Sequence, residues 1–151
     1  MRGSFPGLQD SMVVMLRCME NESCSVVTQG VVRDGAFELR GVVRTPMYCE
    51  LLFSNQDIVS RPEDVKVGNI FLFLDNSELT LKVPHLDSMS FTSLFMAETA
   101  EVKDYLKGSP LQQEFYEYRK ALLPLNLVAQ KASDSLLSLI HISEPTRQAE
   151  I

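Results

Sequence analysis

Residues 31–41 constrain this chain more than any other stretch. Val31-Val32-Arg33-Asp34-Gly35-Ala36-Phe37-Glu38-Leu39-Arg40-Gly41 sets an Asp-Gly pair between two apolar-rich runs. Asp-Gly supplies the positive φ angles of a tight turn, and the run after it alternates apolar with charged residues. The stretch reads as strand, turn and returning strand. Residues 25–32, rich in Val and Thr, are expected to pair through this turn with residues 36–43. Phe37, Leu39 and Gly41 would share one face, with Glu38 and Arg40 on the other. Gly41 within a strand predicts a bulge or a close backbone approach.

The same period-two logic extends along the chain. Residues 12–18 form a short β-branched run after a Pro-Gly loop and read as a strand, followed by a polar turn at Glu20-Asn21-Glu22-Ser23. Pro46 lacks a ladder donor and should start the next strand, residues 47–53. Residues 54–68 read as a polar surface loop. Ile70-Phe71-Leu72-Phe73-Leu74 is apolar on both faces, which predicts a central strand covered on each side. Asp75-Asn76-Ser77 should turn it into a hairpin with residues 78–83, where Leu79, Leu81 and Val83 face inward. Residues 84–97 favour no single element, and residues 100–106 read as one more strand closing at Gly108.

Helical spacing takes over from there. Ser109 is a helix N-cap with Pro110 at the first helical position, and Leu111, Phe115, Tyr118, Leu122 and Leu125 recur at three- and four-residue intervals. Pro124 should kink or end that helix, with a second helical segment over residues 125–136. Strands first and helix last predict a mainly β fold, an antiparallel β-sandwich or partial barrel with a C-terminal helix.

A length of 151 residues suits one domain with an adequate core. No apolar run reaches the roughly 18 residues that span a bilayer. The formal charge of -6, with Lys and Arg scattered, argues against a nucleic-acid partner.

The chemistry-bearing residues are sparse. Cys18, Cys24 and Cys49 include no Cys-x-x-Cys pair; a Cys18–Cys24 bridge across the turn is conceivable in an oxidising compartment, but small buried hydrophobes or plain thiols are the better reading. His85 stands alone, so neither a zinc site nor a nucleophile–base pair forms around it. Glu20/Glu22 and Glu63/Asp64 read as solvated loop charges rather than acid–base pairs. Phe115, Tyr116 and Tyr118 read as a helix face pinned to the sheet, Phe115 inward, rather than a ligand surface. Gly30, Gly35 and Gly41 are separated by strand residues and make no phosphate loop. The sequence therefore assigns no catalytic, cofactor-binding or metal-binding residue.

Both termini carry separate expectations. Residues 2–8 read as the end of a strand and a loop, so Met1 is expected to be an internal methionine; no apolar leader follows it. Leu137-Ser138-Leu139-Ile140-His141-Ile142-Ser143-Glu144-Pro145-Thr146-Arg147-Gln148-Ala149-Glu150-Ile151 resembles the translation of a transposase-type sequencing adapter with an index and primer site. The expected organisation is a β domain over residues 1–108, a helical segment over 109–136 leading to a further domain, and adapter-derived sequence over 137–151.

The order of four elements carries a family resemblance. They are residues 30–41, Thr45-Pro46-Met47-Tyr48, residues 71–81, and Leu106-Lys107-Gly108-Ser109-Pro110-Leu111-Gln112-Gln113-Glu114-Phe115. Together they resemble an N-terminal β-rich domain of unknown function that precedes thioredoxin-like, peroxiredoxin-type domains in exported proteins, often lipoproteins, of Gram-negative gut bacteria. The resemblance covers residues 2–123. It implies a non-catalytic accessory domain, periplasmic or anchored at the cell envelope, with the thioredoxin-like domain as its partner in cis and a client protein or a second copy as further partners. The thiol–disulfide chemistry it implies for the parent needs a Cys-x-x-Cys at a helix N-terminus, which this chain lacks. A freestanding β module that binds a peptide or hydrophobic ligand is the alternative.

Overall fold

The computed structural model describes residues 1–19, 25–55, 66–89, 92, 96–97 and 99–142. In chain order the described residues form β1 (Arg2–Ser4), β2 (Val13–Cys18), β3 (Ser25–Val31), β4 (Ala36–Glu38), β5 (Met47–Ser54), β6 (Lys66–Leu74), β7 (Thr80–Leu81), a 3-10 turn (Leu86–Ser88), β8 (Leu106–Lys107) and α1 (Pro110–Ile142). The strands make two four-stranded sheets, ordered β4-β1-β7-β8 and β3-β2-β5-β6. The fold is mainly β with a C-terminal helix, a sandwich rather than a closed barrel. One pair, β1 with β7, is parallel; the other paired strands are antiparallel.

The core lies between the sheets. Val14, Leu16, Leu51, Phe53 and Leu72 of one sheet are buried against Phe37, Leu79, Leu81 and Leu106 from the other layer. Phe53 is fully enclosed and takes Phe37 and Phe5 edge-on, with ring centroids 5.4 and 5.9 Å away. Each such pair adds about 1 kcal/mol to the area it buries. Gly3 makes the approach possible, since a Cβ there would stand 2.7 Å from the Phe37 ring.

The Asp34-Gly35 turn forms as expected, with φ of 50° and 65° at the two residues and a bond in each direction between Arg33 and Ala36, 2.9 and 3.0 Å. Asp10 and Ser4 hold it, the carboxylate accepting from the Gly35 N–H at 3.2 Å and the hydroxyl donating to the Gly35 carbonyl at 3.0 Å. The hairpin that should continue from it does not. Beyond a single bridge the arms separate: β3 pairs with β2, and β4 pairs with β1 in the other sheet. The turn is a corner between layers. A continuous hairpin would put both arms in one sheet and leave Phe37 and Leu39 without the opposing layer that buries them.

The second expected hairpin is corrected in the same way. Asp75-Asn76-Ser77 carries the chain from β6 in one sheet to β7 in the other, where β7 lies between β1 and β8. Leu79, Leu81 and Val83 are nevertheless buried, as their alternation predicts. Asn76 fastens this crossing by accepting from the Val43 N–H and donating to the Val43 carbonyl, both at 2.9 Å. Strand β6 is an edge strand, not a central one, and it begins at Lys66 inside the stretch read as loop. Its apolar character on both faces has another cause, since α1 covers the outer face while the opposite sheet covers the inner one.

Three smaller readings also change. Strand β4 ends at Glu38, and Gly41 is exposed with open space where a Cβ would stand, so it marks neither a bulge nor a close approach. Residues 101–105 are not strand; pairing with the two-residue β7 leaves room only for Leu106 and Lys107, while Lys103 reaches the Ser88 carbonyl at 3.1 Å. Helix α1 runs through Pro124 without ending. Pro124 is exposed, so the carbonyl it leaves without a helical donor can be hydrated. The turn at residues 20–23 lies outside the described residues.

A latch joins the start of α1 to the end of β6. The Ser109 hydroxyl caps the helix by accepting from the Gln112 N–H at 3.1 Å and donates to Asp75 at 2.8 Å. Ser109 and Gln112 have the spacing of a capping box, but the Gln112 side chain turns outward and accepts from the Phe73 N–H of edge strand β6 at 3.0 Å. Gly108 precedes the latch at φ 108°, where a Cβ would lie 2.1 Å from the Glu78 carbonyl oxygen.

Gly108→Ala should therefore cost about 3 kcal/mol in urea unfolding, since strain and a backbone clash coincide. Ser109→Ala should cost about 1 kcal/mol at neutral pH from the lost cap. Partial burial pushes the Asp75 carboxyl up, but bonds from Ser109 and Ser77 outweigh it and hold the group below its ordinary 3.8. The resulting stability is present above that value and lost as pH falls through the lowered one. Acid unfolding curves should thus show the gap between wild type and Ser109→Ala narrowing as pH drops below 3.8; a constant gap would contradict the Asp75 linkage.

Candidate functional site

Sequence alternation sends every second residue of β2, β5 and β6 to the outer face of their sheet, and there the polar exceptions meet. Register places Arg17 beside Glu50 and Glu50 beside Phe71, with Asn69 beside Leu52. Glu50 is 2% exposed. It accepts from Arg17 Nε at 3.0 Å, from Arg17 Nη2, and from Asn69 Nδ2 at 2.6 Å. Asn69 also pairs with the backbone of Thr92 as a strand would, accepting from its N–H at 2.7 Å and donating to its carbonyl at 2.6 Å. A carboxylate this deep requires donors on its oxygens, and Arg17 and Asn69 supply them. The arrangement secures Thr92 to the sheet; both Glu50 oxygens already hold donors, which suits an anchor better than a proton acceptor.

Next to this network lies an aromatic cluster. Tyr48 and Phe73 face each other across β5 and β6, with centroids 5.6 Å apart, and Phe115 of α1 meets both edge-on at 5.7 and 5.0 Å. Arg119 lies over Phe115 at 5.9 Å and donates to the Ala97 carbonyl. A groove of about 620 Å³ runs between sheet and helix, lined by Tyr48, Phe73, Phe115, Tyr118, Leu122 and Asn126. A broader, shallower depression of about 980 Å³ covers the outer face of the other sheet, where Arg2, Arg33, Glu38 and Lys82 project.

The residues singled out from sequence are scattered. Cys18 and Cys49 are buried thiols at facing positions of β2 and β5, while Cys24 lies outside the described residues, as do Glu20, Glu22, Glu63 and Asp64. His85 is exposed and caps the 3-10 turn, Nδ1 accepting from the Asp87 N–H at 3.2 Å. Phe115 points inward as expected and Tyr116 is half-buried, but Tyr118 is 61% exposed and Leu125 65% exposed. The packed stripe of α1 is instead Gln112, Phe115, Arg119 and Leu122. Among the described residues no group of His, Cys, Asp and Glu could hold a metal ion, and no helix is long and apolar enough to cross a membrane.

Arg17, Glu50 and Asn69 were not singled out by sequence, although a signal exists: each is a polar residue in the interior of a largely apolar strand. No family model matches the chain, nor does any curated protein or solved structure.

Arg17→Met should cost about 3 kcal/mol in urea unfolding because it strands the buried Glu50 charge. The double variant Arg17→Met/Glu50→Met should be more stable than Arg17→Met alone. A double variant less stable than either single one would show that the pair is not the anchor described.

Proposed function

We propose that this chain is a non-catalytic accessory domain of an exported thiol-disulfide oxidoreductase-type protein, a β-sandwich that positions a thioredoxin-like neighbour in cis. The observation that carries the reading is the length of α1. Residues 110–136 of it alone extend about 40 Å, yet the strands it chiefly packs against are β6 and β8, near its start. Beyond them Leu125, Leu127, Val128 and Leu136 stand exposed, with none of the described sandwich residues burying them. Such a face suits attachment to another folded unit. The family resemblance of residues 2–123 supplies the identity of that unit, and with it a periplasmic or envelope-anchored location.

A second reading, a freestanding peptide-binding module, draws on β3. This strand lies at the edge of its sheet, and residues 25–31 include no charge and no proline, the usual guards of an open edge.

Sequencing the source gene across the Leu136 codon separates the two. The expected result is an open frame that continues into a domain with a Cys-x-x-Cys stretch. A native stop codon within a few codons would overturn the accessory reading and favour the binding module. The purified chain should also reduce insulin disulfides with dithiothreitol no faster than a variant with all three cysteines changed to Ser; faster reduction would overturn the non-catalytic assignment.

A further inference from the structure

Cys18 and Cys49 are direct partners in the β2–β5 register. They are far apart in sequence, so neither composition nor spacing brings them together. In an antiparallel pair, facing residues alternate between those that exchange backbone hydrogen bonds and those that do not, and the latter bring side chains closer. Two observations place Cys18 and Cys49 in the closer class. The neighbouring Met19 N–H donates to the Tyr48 carbonyl at 2.9 Å, so the bonded pair is the adjacent one. The Val32 N–H donates to the Met12 carbonyl at 2.8 Å, which directs the even-numbered residues of β2 toward β3 rather than β5.

Facing residues share one side of the sheet, so both thiols project toward the sandwich interior. Cys49 belongs to the core with Leu16, Leu51 and Leu72. Unbonded pairs have Cα atoms about 4.5 Å apart, inside the range of about 4.4–6.8 Å that disulfides span. Cys18 is the last residue of β2 and is 8% exposed, whereas Cys49 is fully buried. The outer thiol can therefore be reached first.

We propose that Cys18 and Cys49 are a cross-strand disulfide site, oxidised by a small disulfide through thiol–disulfide exchange. The Cys18 thiolate attacks one sulfur of the oxidant, forming a mixed disulfide and expelling a thiolate. The Cys49 thiolate then attacks the Cys18 sulfur and expels the second. Two cysteine thiols are oxidised, one small disulfide is reduced to two thiols, and the two protons pass to the expelled thiolates. The bond ties β2 to β5, the two inner strands of their sheet. This site concerns the domain's own stability and is independent of the accessory role proposed above.

The test is refolding of the full chain from urea in reduced and oxidised glutathione, alkylation of remaining thiols, and digestion after glutamate. Cleavage at Glu20 and Glu22 separates Cys18 from Cys24, and cleavage at Glu38 and Glu50 isolates Cys49. The expected product is a Cys18 peptide joined to the Cys49 peptide, present in wild type and in Cys24→Ser alike. The oxidised wild type should unfold at a higher urea concentration than the reduced protein, with no such difference for Cys18→Ser. A link that includes Cys24, glutathione adducts without a cross-link, or alkylation of both Cys18 and Cys49 would each overturn the assignment.

Discussion

The sandwich depends on the contact of Phe37 with Phe53 across the space that Gly3 leaves open. Phe53 belongs to the sheet built on β2 and β5, and Phe37 belongs to the opposite sheet. A Cβ at Gly3 would press on the Phe37 ring and so oppose that close approach over β1. Leu81 of β7, Leu79 just before it and Leu106 of β8 then complete the same layer. Because β1 and β4 are three residues each and β7 and β8 only two, ladder bonds alone cannot hold that sheet together. Burial against the longer sheet does so.

The short sheet is supplied by two crossings from the long one, and each is secured by side chains acting on backbone. At the first, Asp10 and Ser4 hold Gly35; at the second, Asn76 holds Val43 and Asp75 holds Ser77 and Ser109. The second crossing also fixes the origin of α1, which links the sheet exchange to helix docking. The helix in turn covers β6, an edge that would otherwise expose backbone donors; Gln112 occupies the Phe73 N–H. On the same outer face, Asn69 of the Arg17–Glu50–Asn69 network holds the Thr92 backbone. Polar groups at these points act as fasteners between elements whose apolar faces are too small to align themselves.

Local chemistry was legible in the sequence wherever a residue acts on its immediate neighbours. The positive-φ turn at Asp34-Gly35, the Ser109 cap with Pro110 behind it, and the inward alternation of Leu79, Leu81 and Val83 all stand. What misled was inference from a turn to the pairing of its arms. A two-residue turn fits a hairpin and a corner equally well, and only the burial of Phe37 and Leu39 against a second layer distinguishes them. The run at residues 70–74 was likewise ambiguous, since coverage by a helix and a central place in a sheet leave the same apolar pattern. The outer-face network was missed because Arg17 and Glu50 gain meaning only as partners in register.

The sequence by itself determined which residues turn, which alternate, where the helix starts, and that the fold is mainly β with a C-terminal helix. These follow from φ preferences, period-two patterning and capping, all of which act over a few residues. Tertiary structure alone decided which strands share a sheet, which stripe of α1 is covered, and that Cys18 faces Cys49. Those outcomes rest on contacts between residues far apart in the chain, where the burial of one face selects the partner and local preference is silent.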